Sequence, residues 1–167
     1  GGTGHYKVAV NYAASILASE EAEKRGYDQT LWLDAQENKY MEEVGSMNIF
    51  FVISGVVVTP MLAGSILPGI TRKSTIELLK ARGYTVEERR VSVDEVVKAA
   101  EDGTLNEIFG TGTAAVVSPV GSFGYNGKDY TVGDGQMGKI TKYVYDELTG
   151  IQTGVKPDEF GWVERIV

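Results

Sequence analysis

Ser46-Met47-Asn48-Ile49-Phe50-Phe51-Val52-Ile53-Ser54-Gly55-Val56-Val57-Val58-Thr59-Pro60 decides what kind of fold this chain adopts. Six of its first eight residues are large and apolar, without polar alternation, the pattern of a strand covered on both faces. Ser54-Gly55 is a two-residue turn signal, so Val56 to Thr59 returns beside the first strand as a hairpin. Pro60 has no N–H to give a ladder and stops the second strand. A strand buried on both faces needs layers above and below it, and the rest of the chain supplies the candidates.

Working upstream, Lys39 to Glu43 reads as a short strand behind a turn at Asn38, and Thr30 to Leu33 as another around Trp32. Asn11 to Arg25 has helical spacing, with Ala14, Leu17, Ala18 and Ala22 inward and Glu20, Glu21 and Glu23 outward. Gly26 is placed to cap it. Tyr6 to Val10 reads as a strand. Downstream, Leu67 to Thr71 leads into a helix with Ile76 and Leu79 inward that ends at Gly83, followed by a half-exposed strand from Tyr84 to Val91. Ser92-Val93-Asp94-Glu95 is a capping box for a helix to Asp102, stopped by Gly103. Leu105 to Phe109 is a strand ending in a turn, Gly110-Thr111-Gly112-Thr113-Ala114, and Ala115 to Val120 continues as strand. Asn126-Gly127 turns a hairpin into Lys128 to Val132. A last helix runs from about Gly138 to Leu148, with Met137, Ile140, Val144 and Leu148 on one stripe. Strands outnumber helices and arrive partly as hairpins, which predicts one α+β domain with a mixed or antiparallel sheet.

A chain of 167 residues can bury one real core, and 43% hydrophobic with 23% charged residues suits a soluble globular protein. The net charge of −7 argues against a nucleic-acid partner, which would want a basic face. With no cysteine there is no disulfide framework or thiol nucleophile, and the single histidine, His5, leaves no polyhistidine metal site. No stretch is long enough to span a membrane and none reads as a signal peptide, so a cytoplasmic location is expected.

Four features bear chemistry. Lys7 sits against Val8, Ala9 and Val10, either as an edge-strand lysine reaching for water or as an amine held in apolar surroundings for Schiff-base work. Gly69-Ile70-Thr71 opens a helix, where free N–H groups favour an anion, and Gly110 to Ala114 offers amides and hydroxyls. Each is either a plain turn or part of a phosphate or carboxylate cradle. Glu42-Glu43 stands at the mouth of the buried strand, either solvated or placed to hold a protonated heterocyclic nitrogen. An amine, a tyrosine near it, a carboxylate and an anion cradle are together the tasks of holding pyridoxal phosphate. Walker and dinucleotide loops are absent, and serine or metal hydrolase chemistry lacks its residues.

Gly1-Gly2-Thr3-Gly4 with Lys7 and Asn11-Tyr12, Glu43 to Phe50, Gly64 to Arg72, and Phe109 to Ala114 follow in an order and spacing that resemble the branched-chain amino acid aminotransferases, class IV pyridoxal-phosphate enzymes. The resemblance runs over nearly all of residues 1–167. It implies the large, cofactor-binding domain, an α+β pseudobarrel flanked by helices, in a homodimer whose small N-terminal domain is absent from this sequence. It implies ping-pong transfer of the amino group of Leu, Ile or Val to 2-oxoglutarate. By it Lys7 would carry the Schiff base, Tyr12 would bond the ring oxygen, Glu43 the ring nitrogen, and Leu67 would pack on the ring. Amides of Ile70 and Thr71, with Thr111, would hold the phosphate. Ser46 and Met47 would border the substrate, and Thr113 and Ala114 would receive its carboxylate. Ala9 and Val10 stand where the family usually has glycines, and the phosphate-binding arginine of the family lies in the absent domain. A D-amino acid transaminase, an aminodeoxychorismate lyase or a silent fragment are the alternatives.

Overall fold

The computed structural model describes residues 2–164 and 166; Gly1, the first residue of the glycine-rich lead-in, lies outside them. At its centre is β3 (Met47–Ile53), hydrogen-bonded along the whole of one edge to β6 (Leu105–Gly112). The other edge is divided between β2 (Met41–Val44) and β4 (Val56–Pro60). β1 (Leu31–Leu33) extends the sheet beyond β2, and β7 (Val116–Pro119) extends it beyond β6. These pairs are antiparallel. β5 (Val86–Arg89) lies parallel to β4, connected to it through α2 (Ile70–Ala81). β8 (Ser122–Tyr125) and β9 (Lys128–Thr131) form a separate hairpin. The mixed-sheet α+β reading therefore holds. The described strands pair as an open, branched sheet, so the pseudobarrel is not a closed hydrogen-bonded ring.

Alternation along β3 builds a core on each face. Ile49 and Phe51 meet Val58, Leu105 and Ile108, covered by α3 (Val93–Glu101) and by Phe123 of the β8–β9 hairpin. Phe50 and Val52 meet Val57 and Phe109, covered by α2 and by α4 (Lys139–Gln152) through Leu79, Val144 and Leu148. Phe50 and Phe109 are direct cross-strand partners with stacked rings 5.0 Å apart. Burying side chains of this size contributes about 1.5–3 kcal/mol each, which makes β3 and its neighbours the main source of stability.

The hairpin turns are as expected. Ser54 and Gly55 (φ 50° and 80°) and Asn126 and Gly127 (φ 49° and 75°) occupy the left-handed region that two-residue turns require. Ser92 Oγ accepts from the Glu95 N–H, but the Glu95 carboxylate goes to Arg89, so only half of the capping box forms.

Four local expectations are corrected. Tyr6 to Val10 is not a strand: α1 (Ala9–Lys24) starts inside it, and the segment ahead is gathered by Asn11. The Asn11 amide donates to the Thr3 and Tyr6 carbonyls and accepts from the Thr3 hydroxyl, which offers the backbone a local alternative to a ladder. Secondly, no residue of α1 is buried: of the four expected inward, Ala18 and Ala22 are half-buried, whereas Ala14 and Leu17 are exposed, with Val10 and Ile16 also bare. Thirdly, β6 runs on through Gly110, Thr111 and Gly112, and the turn is Thr113 to Ala115. The glycines are there because Met47 and Val44 occupy the space beside them: a Cβ at Gly110 would meet both side chains at 3.0 Å. Lastly, Met137 lies outside α4 and is exposed. α4 begins where Glu107, reaching from β6, accepts from the N–H groups of Ile140 and Thr141 (3.0 and 2.7 Å) and from the Thr141 hydroxyl. Among the described residues no helix is long and apolar enough to cross a membrane.

Candidate active site

The sheet register lines up Glu43 of β2, Asn48 of β3 and Thr111 of β6 as consecutive cross-strand partners. Direct partners point to the same face, so all three rise on the side that also carries Phe50, Phe109 and the α2 layer. Phe50 and Phe109 are covered by α2 and α4, whereas the Glu43–Asn48–Thr111 row lies toward the end where α2 begins. Thr111 is buried and its hydroxyl has no hydrogen-bond partner among the described residues, a costly state for a polar group unless a ligand completes it.

The N-terminus of α2 comes to the same place. Lys73 donates to the Gly69 carbonyl, so the amides of Ile70 and Thr71 precede the first bonded turn and have no carbonyl within the helix. Their N–H groups and the helix dipole make an anion site. Ile70 turns its own side chain to solvent, and Thr71 and Leu67 are half-buried. Asn48 joins the row to this loop: its amide donates to the Leu67 carbonyl at 2.9 Å and to Glu43 Oε1 at 3.3 Å. Gly69 carries no side chain because a Cβ there would overlap Asn48 Oδ1. Arg72, although in the first turn of α2, is committed elsewhere, to the Pro60 carbonyl and to Glu88.

Glu43 titrates far from the usual carboxylate range. Burial pushes its pKa from 4.5 up to about 7; the Leu67 N–H opposes this and the neighbouring Glu42 adds to it. Glu42 itself takes a hydrogen bond from the Ser65 hydroxyl. A half-buried carboxylate near neutrality is poised to meet a cation, which would restore its charge.

Lys7, Ser46, Met47, Thr113 and Ala114 share the wall of one cavity of about 1090 Å³. Two turns meet at that end of the sheet, Gly45-Ser46 between β2 and β3 and Thr113 to Ala115 between β6 and β7. Met47, paired with Val44, faces away from the Glu43 row, whereas Ser46, Thr113 and Ala114 stand in the turns at the end of the sheet. Lys7 is exposed in the segment before α1, so of its two readings the one reaching for water is found, although not on a strand. That segment leans on the loop before α2: a Cβ at Gly4 would overlap the Ser65 backbone. Tyr12, on the first turn of α1, is 37% exposed. The predicted residues thus fall into two groups: Glu43, Thr111, Leu67, Ile70 and Thr71 gather where α2 begins, and Lys7, Ser46, Met47, Thr113 and Ala114 line the cavity, with Tyr12 on α1 outside both. The bridging role of Asn48 depends on register, which the local sequence pattern does not reveal.

The site offers a carboxylate, an orphan hydroxyl, a helix N-terminus and, in the cavity wall, a primary amine. The model of the amino-transferase class IV family matches residues 2–123, the stretch that contains every site residue above, and the chain belongs to that family. Among its relatives, the probable branched-chain-amino-acid aminotransferase of Staphylococcus epidermidis is 59% identical over 162 residues, which are 97% of this chain and 45% of that protein. Branched-chain-amino-acid aminotransferase 2 of Bacillus subtilis is 55% identical over 166 residues, 99% of this chain and 46% of that one. The branched-chain amino acid aminotransferase from Escherichia coli superposes with a TM-score of 0.81 at 34% identity, over 97% of this chain and 51% of that chain. A T.th. branched-chain amino acid aminotransferase complexed with N-(5'-phosphopyridoxyl)-L-glutamate gives 0.82 at 34%, over 96% and 50%. The chain spans about half the length of the curated relatives that it matches.

Proposed function

We propose that residues 1–167 are the pyridoxal-phosphate-binding large domain of a branched-chain amino acid transaminase, which moves the amino group of Leu, Ile or Val to 2-oxoglutarate. The observation that carries this reading is the Glu43–Asn48–Thr111 row beneath the open N-terminus of α2. The buried Thr111 hydroxyl without a partner is the feature that most asks for a ligand, and the donors around it suit a phosphate. When bound, pyridoxal phosphate supplies a carbonyl for amine condensation and a ring that withdraws electrons from the substrate.

The residues of the chain then divide the work. The amides of Ile70 and Thr71, with Thr111 Oγ1, bind the phosphate; the α2 dipole adds partial positive charge. Glu43 holds a proton at the ring nitrogen, and Tyr12 orients the ring through its oxygen. Leu67 covers the ring and excludes water from one side. Lys7 Nζ provides the primary amine and carries the proton to and from the α-carbon of the substrate. The amides of Thr113 and Ala114 bind the substrate carboxylate, and Ser46 and Met47 border its side chain.

The reading includes a cytoplasmic homodimer whose small N-terminal domain adds the remaining phosphate charge and most of the apolar pocket. The uncovered α1, with Val10, Ile16 and Leu17 bare, supports a covering partner of this kind. The test is glutamate formation from L-leucine and 2-oxoglutarate with added pyridoxal phosphate, with D-alanine in parallel. The isolated chain should turn over slowly, and the N-terminal portion of a matched relative added in trans should raise the rate by orders of magnitude. A preference for D-alanine, or a full rate from the isolated chain, refutes the proposal in its substrate or in its division of labour.

A further inference from the structure

Asn48 is the only polar residue within β3, and it is 4% exposed. An apolar side chain would satisfy burial there at no polar cost, so a buried amide needs a reason. The reason lies in its partners. Its Nδ2 donates both to the Glu43 carboxylate and to the Leu67 carbonyl. One amide thus ties the carboxylate to the loop that precedes α2. The other atom of the amide, Oδ1, fills the space beside Gly69, the residue from which α2 starts.

We propose that Asn48 is a positioning residue that fixes the Glu43 carboxylate relative to the α2 N-terminus, so that the two ends of one planar, phosphate-bearing heterocycle are gripped together. This rests on the proposed function for the identity of the heterocycle, although the contacts of Asn48 do not depend on it. Rigid coupling of two binding groups leaves less ordering to be done when the ligand arrives. Gly69 is part of the same device. Its backbone (φ −63°, ψ 137°) is open to alanine, so Gly69→Ala acts by displacing Asn48 and by a weaker helix N-cap, with no forbidden backbone angle. The two effects separate when Asn48 is shortened.

The experiment compares the wild-type chain, Gly69→Ala, Asn48→Ser and the double variant, each checked for folding by circular dichroism. Two readouts are taken: the affinity for pyridoxal 5′-phosphate by absorbance, and the titration midpoint of the Glu43 carboxyl by carbon-13 NMR without ligand. Glu42, the neighbouring carboxylate, and its Ser65 donor stay unchanged in all four. Gly69→Ala and Asn48→Ser should each weaken binding by about tenfold and move the Glu43 midpoint upward by about one pH unit, the scale of one hydrogen bond to a charged group. Relative to Asn48→Ser the double variant should lose only what the weaker N-cap costs, well short of a second tenfold, because serine leaves room for the new methyl. Additive losses with an unmoved Glu43 midpoint overturn the proposal. Should Asn48→Ser not fold, an unmoved midpoint in Gly69→Ala overturns it alone. If the midpoints move as expected and the wild-type chain takes up no pyridoxal phosphate, the positioning stands and the proposed function fails.

Discussion

Replacing Glu43 with glutamine should stabilise the ligand-free protein in neutral and alkaline solution while it damages function. Burial, with Glu42 and against the Leu67 N–H, raises the pKa of Glu43 from 4.5 to about 7. The folded chain then holds this proton more tightly than the unfolded chain, so stability falls as pH rises between about 4.5 and 7, and the loss is complete above that window. At full burial the shift corresponds to about 3 kcal/mol; solvent around a half-buried carboxylate reduces it to about 1–2 kcal/mol. Glutamine keeps the shape, can still accept from the Leu67 N–H, and cannot ionise. Urea unfolding at pH 4.5, 6 and 8 should give coincident curves for the two proteins at the lowest pH. At pH 8 Glu43→Gln should be ahead by about 1–2 kcal/mol. Transaminase turnover should fall about 10²-fold or more, the scale of one lost preorganised charge. If Glu43→Gln is less stable than wild type at pH 8, Glu43 is a structural carboxylate and the reasoning fails.

Glu107→Ala should cost about 2–4 kcal/mol in thermal unfolding, because it strips the α4 N-terminus of its buried charged acceptor; Gly138→Ala, which pushes a methyl into that carboxylate, should act in the same direction. Arg72→Met should cost about 1–3 kcal/mol by freeing the Pro60 carbonyl and Glu88, yet leave pyridoxal-phosphate affinity within about twofold, since this arginine is bound to β4 and β5. Leu17→Ser should change the stability of the chain by less than about 0.5 kcal/mol, because Leu17 is 66% exposed, and should weaken association in sedimentation if the proposed homodimer forms through α1.

The β3–β4 hairpin was legible because Phe50, Phe51 and their neighbours leave a strand no uncovered face, and Ser54-Gly55 admits little but a tight turn. The helix stops at Gly26, Gly83 and Gly103 were legible for the same kind of reason, each now standing at positive φ. What escaped depends on partners distant in sequence. Tyr6 to Val10 has strand composition, but Asn11 takes up the carbonyls ahead of it. Gly110 and Gly112 look like turn residues until Met47 is seen beside them. The inward stripe of α1 matched its spacing, yet spacing does not say whether a surface is there to receive it. Glu43 could be named as a carboxylate at a strand mouth, whereas its alignment with Asn48 and Thr111 follows from register. The β3–β6 part of that register shifts at Val52/Ile53. Val116, β-branched at φ 56° beside the Thr113 to Ala115 turn, is strained in a way that no local pattern announces.

The most direct test of the central claim is reductive trapping. The chain is equilibrated with pyridoxal 5′-phosphate, reduced with borohydride, digested and mapped by mass. The account predicts one stoichiometric pyridoxyl adduct on Lys7, lost in Lys7→Ala; an adduct on Lys73 or Lys139, or equal labelling across the surface lysines, would contradict it.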